Sequence, residues 1–381
     1  MVRVFRYRLY PTRAQEQILY EQLKLSRELY NAALQERRDA YKATGKSPSY
    51  GDQSAVLKEI REIRPEFKLI FFHTLQAVLK RLDKAYKSFF RRCKAGEKPG
   101  YPRFKGRNRF RSLAFPDGCK LVAGDKQFYV PGIGKVKIKL HRPIEGQHGE
   151  TRIKLNGDGH WYASLVCKDV PAKPLPVKTS VVGMDLGIES FATCSDRKVI
   201  KNPRPLQIAR LEMERAQRRV SKRKRGSNRR RKAAKILARK HFHVRNVRKD
   251  FHHKTARNLV RKHQVIVLED LNIKGLAGGM LAKQVHDVAW GEFIGIVAAT
   301  VEETGRELIT VNPRGTSQEC SECETVVRKD LSVRVHHCPC CGLVVHRDLN
   351  AARVIEARGV RVRRGASMGN SCDPRSHGLG P

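Results

Sequence analysis

The chain has 381 residues and a formal net charge of +41, from 78 Lys and Arg against 37 Asp and Glu. This length accommodates two or three domains, and so large a positive charge calls for an acidic partner that neutralises it. No run of about 18 apolar residues occurs, so no membrane span is expected, and the alternating charges of the first residues predict no signal peptide. Basic residues are spread along the chain rather than collected on one amphipathic helix, which favours nucleic acid over an anionic membrane.

The N-terminal part predicts one strand followed by a small helical lobe. Residues 3–10 alternate polar and apolar side chains, as a strand does. Thr12 has the spacing of a capping box, and an amphipathic helix is expected over residues 13–42. Two more helices are expected, around 52–63 and 72–92. The apolar face of the first helix repeats at helical spacing through Leu19, Leu23, Ser26, Tyr30 and Ala33.

From residue 96 onward, Gly, Arg and aromatic residues replace the helical pattern. Short alternating segments predict a series of β-hairpins that forms a small barrel with the N-terminal strand. Aromatic side chains among the basic ones either stack on nucleic-acid bases or belong to the barrel core, and the sequence leaves both open. They are Tyr101, Phe104, Phe110 and Phe115. Residues 171–180 are rich in Pro and predict an extended linker at the main domain boundary.

The second half begins with an apolar strand and continues into a very basic helical stretch. Residues 204–263 predict two helices with a break at 223–231. Few acids lie at pairing distance along them, so their cations are expected to contact phosphate rather than to form only a solvated surface. A strand at 265–268 and an apolar helix around 289–303 follow. Gly, Ser, Arg and Pro dominate the last 20 or so residues, which predicts a disordered tail.

Three carboxylates occur at positions where a negative charge is unfavourable. Asp185 and Glu269 each end an apolar strand, and burial there is unfavourable unless a cation meets the charge. Asp348 begins a predicted helix. The three together could hold two Mg²⁺ ions roughly 4 Å apart, which activate a water and stabilise the leaving oxygen of a phosphodiester. Each acid alone also fits an ion pair with Arg, and Asp348 fits a helix N-cap; Asp270 is expected on the opposite strand face.

Five of the ten cysteines lie within residues 320–341, and the other five are scattered singly. Cys320 with Cys323, and Cys338 with Cys341, form two C-x-x-C pairs at the spacing of a four-thiolate Zn²⁺ site. Such a closed site is structural rather than catalytic, and a redox pair is the alternative. Cys340 is surplus. This distribution indicates a reducing compartment with one metal site rather than a disulfide scaffold.

These residues closely resemble the TnpB family, the RNA-guided nucleases that bacterial insertion sequences encode and that are related to type V CRISPR effectors. The resemblance covers about residues 1–357. The matching segments are Gly183-Met184-Asp185-Leu186-Gly187, Asp250-Phe251-His252-His253-Lys254, Val267-Leu268-Glu269-Asp270-Leu271, Thr316-Ser317-Gln318-Glu319-Cys320-Ser321-Glu322-Cys323 and His346-Arg347-Asp348-Leu349-Asn350-Ala351-Ala352. One departure is Glu324, where the family usually has Gly, and Cys340 is another.

The resemblance implies an α/β fold in which a β-barrel wedge domain with a helical recognition insertion precedes an RNase H-like (RuvC) nuclease domain with an inserted zinc ribbon. The implied ranges are 1–10 and 96–172 for the wedge, 11–95 for the recognition lobe, 179–310 and 343–359 for the nuclease domain, 311–342 for the ribbon and 360–381 for the disordered tail. Asp185, Glu269 and Asp348 are the implied Mg²⁺ ligands of a RuvC-type nuclease.

The resemblance also implies a bound guide RNA that pairs with double-stranded target DNA, while the protein reads a short flanking motif. We therefore expect an RNA-guided DNA endonuclease in the bacterial or archaeal cytoplasm, associated with the nucleoid and not with a membrane. Two alternatives stay open. One is an RNA-guided DNA-binding repressor without catalysis, and the other is a transposase that joins strands through the same kind of core. The sequence does not indicate the oligomeric state.

Overall fold

The computed structural model describes residues 1–369 except 108, 123, 125 and 331. The chain divides into two compact units, of which the first is Met1–Pro171 and the second begins at Ala172. The division falls at the start of the Pro-rich segment that predicts a linker.

The first unit contains a seven-stranded antiparallel sheet in the order β2-β6-β7-β1-β5-β4-β3. Its strands are β1 Arg3–Tyr10, β2 Ser112–Phe115, β3 Lys120–Val122, β4 Gln127–Val130, β5 Gly134–Lys139, β6 Gln147–Leu155 and β7 Trp161–Lys168. The N-terminal strand lies in the middle of this sheet, between β7 and β5. The prediction that it joins the later hairpins is therefore confirmed.

The helices of the first unit are α1 Arg13–Thr44, α2 Tyr50–Ala55, α3 Leu57–Ile63 and α4 Phe72–Lys94, with a 3₁₀ turn at Pro65–Leu69. The capping box at Thr12 is present: its hydroxyl accepts from the Gln15 N–H at 3.3 Å, and the Gln15 side chain accepts from the Thr12 N–H at 3.0 Å. One helix was expected over 52–63, but α2 and α3 are separated at Val56, which has φ −80° and ψ 0° and lies between them.

The helices and the sheet of the first unit share one continuous hydrophobic core. Two of the four aromatic residues that the sequence left open belong to this unit's interior, because Phe110 and Phe115 are 4% and 0% exposed. Tyr101 and Phe104 are 44% and 42% exposed, so these two remain accessible to a partner.

The second unit is built on a five-stranded sheet in the order β10-β9-β8-β11-β12. Its strands are β8 Val181–Leu186, β9 Ser190–Cys194, β10 Val199–Lys201, β11 Val265–Glu269 and β12 Glu307–Val311. The three strands β8, β11 and β12 are parallel, whereas β9 and β10 run antiparallel. A separate hairpin, β13 Val335–His337 with β14 Val344–His346, lies in the cysteine-rich segment.

Helices cover both faces of this sheet. They are α5 Pro205–Ser221, α6 Asn228–Lys262, α7 Ile273–Leu276, α8 Ala282–Val288, α9 Trp290–Thr304 and α10 Arg347–Gly369. One sheet face, with Met184 and Leu268, packs into a core with side chains of α6 and α9. The other face, with Val265 and Val267, packs against Ile355 of α10.

The basic stretch forms two helices as predicted, and the break between α5 and α6 spans residues 222–227. Ser227 begins α6, since its hydroxyl accepts from the Arg230 N–H at 3.1 Å. Further along α6, His252 is buried and its Nε2 lies 3.0 Å from the carbonyl oxygen of Val288. It therefore helps to hold the helix layer together.

The prediction of a disordered tail from residue 360 is wrong for residues 360–369, which continue α10. Two exposed ion pairs accompany this extension: Arg361 pairs with Glu324, and Arg363 Nε lies 3.0 Å from a carboxylate oxygen of Glu307. The average composition of the last residues concealed that residues 360–368 contain a single helix-breaking residue, Gly365. Residues 370–381 lie outside the described part of the chain.

None of the helices in the described part of the chain combines the length and the hydrophobicity that a bilayer span requires.

Candidate metal centres

Asp185 and Glu269 occupy matching positions at the carboxyl ends of neighbouring parallel strands. The register pairs Leu268 with Met184, so Glu269 follows one step further, beside Asp185. Adjacent strands lie about 4.8 Å apart and their side chains alternate between faces. Both acids therefore belong to the sheet face that carries Gly183, which is the face covered by α10.

Two glycines allow α10 to lie directly on the strands. A Cβ on Gly183 would be 2.1 Å from the carbonyl oxygen of Ala352, and a Cβ on Gly359 would be 2.4 Å from a methyl group of Val267. No other residue fits at such distances. The close packing of α10 brings its first turn, and with it Asp348, to the sheet edge where Asp185 lies.

The three acids interact electrostatically. The pKa of Asp185 is raised from 3.8 to about 7, first by burial and then by the negative charges of Glu269 and Asp348, while Arg347 opposes the shift. Arg347 Nε also lies 3.7 Å from a carboxylate oxygen of Asp348. A buried acid surrounded by like charges is a place where a cation relieves unfavourable repulsion.

Glu269 is held by Thr316, a residue for which the sequence predicts no role. The Thr316 hydroxyl lies 2.5 Å from Glu269 Oε1 and 3.0 Å from the carbonyl oxygen of Pro313, and it can donate its one proton to either. Burial raises the pKa of Glu269, and the Thr316 hydrogen bond and the Arg358 charge lower it in part. Thr316 could have been noticed, because it begins the segment that leads into Cys320.

Two further residues of α10 fasten the chain between β12 and the cysteines. The Arg358 guanidinium donates to the carbonyl oxygens of Asn312 and Arg314, both at 2.9 Å, and pairs with Glu319. The buried Asn350 amide donates to the Glu319 carbonyl oxygen at 2.7 Å. One helix thus positions Asp348 and also anchors the segment that carries Thr316.

The four cysteines Cys320, Cys323, Cys338 and Cys341 converge, with all their sulfur atoms within 4.8 Å of one another. Cys320 Sγ lies 3.6 Å from Cys341 Sγ, and Cys323 Sγ lies 3.5 Å from Cys338 Sγ. Four sulfurs from two C-x-x-C turns are the donor set of a structural Zn²⁺ site, so the residues fit that ion. The hydroxyl and backbone of Thr325 lower the pKa of Cys323 to about 6, which favours the thiolate that a metal requires.

The two cysteine turns have the same backbone hydrogen bond. The Glu324 N–H donates to the Cys320 carbonyl oxygen, and the Gly342 N–H donates to that of Cys338, both at 3.0 Å. Gly342 has φ +74° and Glu324 has φ +62°. Glu324 thus takes a conformation that favours glycine, and its carboxylate pairs with Arg361. Cys340, the surplus thiol, is exposed and outside the group of four.

The acids are less compact than the cysteines. Among the residues that the structure describes, the cysteines are the only group of three or more His, Cys, Asp or Glu side chains whose ligand atoms all lie within 4.8 Å of one another. Asp185, Glu269 and Asp348 share one edge of the sheet at wider spacing. Three oxygen donors spread along an edge suit a pair of ions better than a single one.

The fold and the two centres together define an α/β protein with an acid-lined sheet edge beside a four-cysteine ribbon. A solved structure described as the mini-RNA-guided endonuclease CRISPR-Cas phi3 has this fold, with a TM-score of 0.55 and 10% identity over 94% of this chain and 92% of that chain.

Family models match three parts of the chain. They are OrfB_IS605, described as "Probable transposase", over residues 164–279, the Cas12f1-like TNB domain over residues 290–355, and a helix-turn-helix domain over residues 1–46. In this chain the last range forms β1 and the single helix α1.

Two relatives align with nearly the whole chain. A Streptomyces pristinaespiralis protein, named as a candidate RNA-guided DNA endonuclease, is 34% identical over 94% of this chain and 89% of its own length. The similarly named InsQ of Escherichia coli strain K12 is 28% identical over 94% of this chain and 92% of its own length. The chain belongs to the TnpB family.

Proposed function

We propose that this chain is an RNA-guided DNA endonuclease of an insertion sequence, which cuts guide-matched DNA beside a short flanking motif. The observation that carries the proposal is the sheet edge with Asp185, Glu269 and Asp348, where burial and like charge raise the pKa of Asp185 to about 7. The relative with 34% identity is named as a candidate RNA-guided DNA endonuclease, which agrees with this proposal.

The acid-lined edge supports a RuvC-type site for divalent cations. Its donors are carboxylate oxygens, the ligands that Mg²⁺ prefers, and their mutual repulsion is what bound cations would relieve. Two Mg²⁺ ions there would supply an activated water and stabilise the leaving oxygen of the phosphodiester.

The chain's own residues prepare this edge. Asp185 and Glu269 offer oxygens from two rigid strands, and the Thr316 hydroxyl fixes the orientation of Glu269. Asp348 approaches from the first turn of α10, and Arg347 beside it can contact a non-bridging phosphate oxygen. Ligands held by packed elements keep their geometry when substrate binds.

The four cysteines form the second, structural metal site. A closed thiolate set leaves no open position for substrate, so we assign it to Zn²⁺ in a ribbon over residues 311–342. Its role is to hold the chain between β12 and α10, which carries Thr316 and leads into Asp348. The nuclease domain then comprises residues 179–310 and 343–359.

The remaining residues are assigned to holding nucleic acid. The helices α5 and α6 carry basic residues with few acids, and the net charge of +41 suits a guide RNA and a target duplex bound together. In the first unit we assign residues 1–10 and 96–172 to a wedge that closes as a β-barrel, and 11–95 to a recognition lobe. The exposed Tyr101 and Phe104 are available to stack on bases.

Two other functions are compatible with the same family and fold. A guided repressor would bind DNA without cutting, and the presence of all three acids does not favour it. A transposase would join strands through the same kind of core, so the reaction products distinguish it from the nuclease. The natural setting of the proposed activity is the nucleoid in a bacterial or archaeal cytoplasm.

The test uses the full chain expressed with the DNA that flanks its gene. The co-purified RNA is sequenced, and the complex is incubated with Mg²⁺ and a library of duplexes that match the guide and vary beside it. Cleavage of matched duplexes with one flanking motif is the expected result. Tight binding without cleavage would support the repressor, joined products would support the transposase, and the absence of a specific RNA would overturn guided recognition.

A further inference from the structure

A cleft of about 390 Å³ opens where the sheet of the second unit ends. Its walls come from the segment after β8, the first turns of α5 and the helix α8. Pockets for small ligands begin at about 300 Å³, so one nucleotide is the size of group that this cleft can take.

The cleft has apolar walls with unused hydrogen-bonding groups. Ile188, Leu206 and Val288 line it with carbon atoms. Gln207 and Gln284 also line it, and their side-chain amides make no hydrogen bond with another part of the chain that the structure describes. Apolar faces with free amides suit a nucleobase, which is flat and carries donors and acceptors on its edges.

Cations surround the same cleft. Arg204, Arg210 and Lys283 line it, and Lys283 makes no ion pair with any described residue. Arg210 has one partner, Glu214, at 3.4 Å on the exposed side of α5, where an ion pair is weak. The one acid of the lining, Asp287, is buried and accepts the Leu206 backbone N–H at 3.1 Å, so its charge serves the helix end. The rim is thus suited to phosphate.

The cleft lies close to the proposed catalytic edge. Ile188 follows Asp185 by three residues, and three residues of extended chain span at most about 11 Å. A nucleic-acid strand rises about 3.4 Å per nucleotide. Ile188 and Val288 pack with the core on the sheet face opposite α10, so a strand with its scissile phosphate at Asp185 reaches the cleft by passing the end of β8. A base about three nucleotides from the cut can then enter it.

We infer that this cleft binds one unpaired nucleotide of the DNA strand being cut, with its base between Ile188, Leu206 and Val288 and its phosphate near Arg204 and Lys283. The inference rests on the proposed function for the identity of the strand. It adds a site that holds the strand in register with the three acids. Misplacement of a reacting group by 1 Å can cost about 100-fold in rate, so such a site affects cutting directly.

The test places the fluorescent base 2-aminopurine at successive positions around the cut site and uses the guide complex of Asp185→Asn, in which the strand stays intact. The structure predicts a fluorescence change at one position. Leu206→Trp, which fills the cleft, should abolish this fluorescence change. Ile208→Trp should preserve it, because Ile208 lies on the same helix and is 80% exposed. In complexes with Asp185 restored, Leu206→Trp and Lys283→Glu should slow single-turnover cutting about 10- to 100-fold.

Two results would overturn the inference. The first is that Leu206→Trp and Ile208→Trp give the same fluorescence. The second is that neither Leu206→Trp nor Lys283→Glu changes the cutting rate. Failure of the proposed function is distinguishable, because a short single-stranded DNA with 2-aminopurine reports on the cleft even if no duplex is cut. A signal that appears with RNA but not with DNA of the same sequence would contradict the assignment to the DNA strand.

Discussion

The cysteine cluster and the acid cluster differ in how far apart their residues lie in the chain. The cysteines lie within residues 320–341, and two short turns of the same geometry bring their sulfurs within 4.8 Å. The acids come from residues 185, 269 and 348, and the packing of a sheet and a helix brings them to one edge.

The geometry of the cysteine centre is therefore specified by local sequence, whereas that of the acid centre is specified by the tertiary fold. A C-x-x-C turn needs only its own residues and one metal, so its geometry can be read from spacing. The acid edge depends on the parallel register of β8 and β11 and on two glycines beneath α10. The two centres are nevertheless linked, since Asn350 and Arg358 of α10 both bind the segment that leads into the cysteines.

The largest expected effect comes from Gly183→Ala, which disturbs the packing that assembles the acid centre but not the cysteine turns. The new Cβ would lie 2.1 Å from the Ala352 carbonyl oxygen, so α10 must move away from β8. Overpacking of this kind typically costs about 1–3 kcal/mol, and we expect cutting to be lost as Asp348 moves. Denaturant unfolding and single-turnover cleavage measure the two effects.

The control for that variant is Gly295→Ala in α9, where a Cβ meets nothing within 4 Å. In a helix interior this change should stabilise by about 0.5–1 kcal/mol. A Gly183→Ala protein with the stability and cutting rate of the control would show that close packing of α10 is not required.

The cysteine centre is tested by Cys320→Ser, which removes one of the four thiolates. We expect the zinc content to fall from one ion per chain to none after a chelator wash, and the ribbon to lose protection from hydrogen exchange. Cys340→Ser, which changes the exposed surplus thiol, should retain the ion. Full zinc content in Cys320→Ser would exclude the four-thiolate assignment.

A smaller effect is expected from Thr316→Val, which keeps the shape of the side chain but removes the hydroxyl beside Glu269. Groups that orient metal ligands typically contribute 10- to 100-fold to metal affinity or activity. We expect the Mg²⁺ concentration for half-maximal cutting to rise by about that factor, while zinc content stays unchanged. Rescue by Thr316→Ser would show that the hydroxyl is responsible, and an unchanged Mg²⁺ dependence in Thr316→Val would remove its role.

The smallest effect concerns pH in the presence of a chelator. The pKa of Asp185 is raised from 3.8 to about 7 in the folded chain, so between these values the folded form holds a proton that the unfolded chain has lost. This contribution to stability is present below pH 4 and is lost as the pH rises through 7. Asp185→Asn should therefore be more stable than the wild type at pH 8 by about 1–2 kcal/mol, and the difference should shrink toward pH 4.

Denaturant unfolding of the two proteins at pH 4, 6 and 8 measures this trend. Saturating Mg²⁺ should reverse it, because a bound cation stabilises the ionised carboxylates. A difference that does not change with pH would contradict the burial of an acid at this position.

Much of the architecture was predictable because it rests on local patterns. Alternation predicts β1 and helical spacing predicts α1, and the break between α5 and α6 follows from residues that disfavour helix. The separation at Val56 was not predictable, since nothing in its sequence neighbourhood breaks a helix. The continuation of α10 to Gly369 was hidden by the average composition of the last residues, and its exposed ion pairs join Arg361 and Arg363 to acids that are distant in the sequence, Glu324 and Glu307.

The candidate site was predictable in its main residues but not in its support. Asp185 and Glu269 stand out because each ends an apolar strand, and Asp348 because it begins a predicted helix. Thr316 begins the segment that leads into Cys320, but no sequence pattern indicates that its hydroxyl meets Glu269 or that the charge of Arg358 lowers the pKa of Glu269. Glu324 has a φ of +62°, a backbone conformation that favours glycine and that its sequence neighbourhood does not indicate.

The most direct test of the central claim, that remote acids form one nuclease centre, is single-turnover cleavage of a guide-matched duplex by the wild-type complex and by Asp185→Asn, in Mg²⁺. We predict that both bind RNA and DNA equally and that the variant is slower by about 1,000-fold or more. Cutting by Asp185→Asn at the wild-type rate would contradict the account.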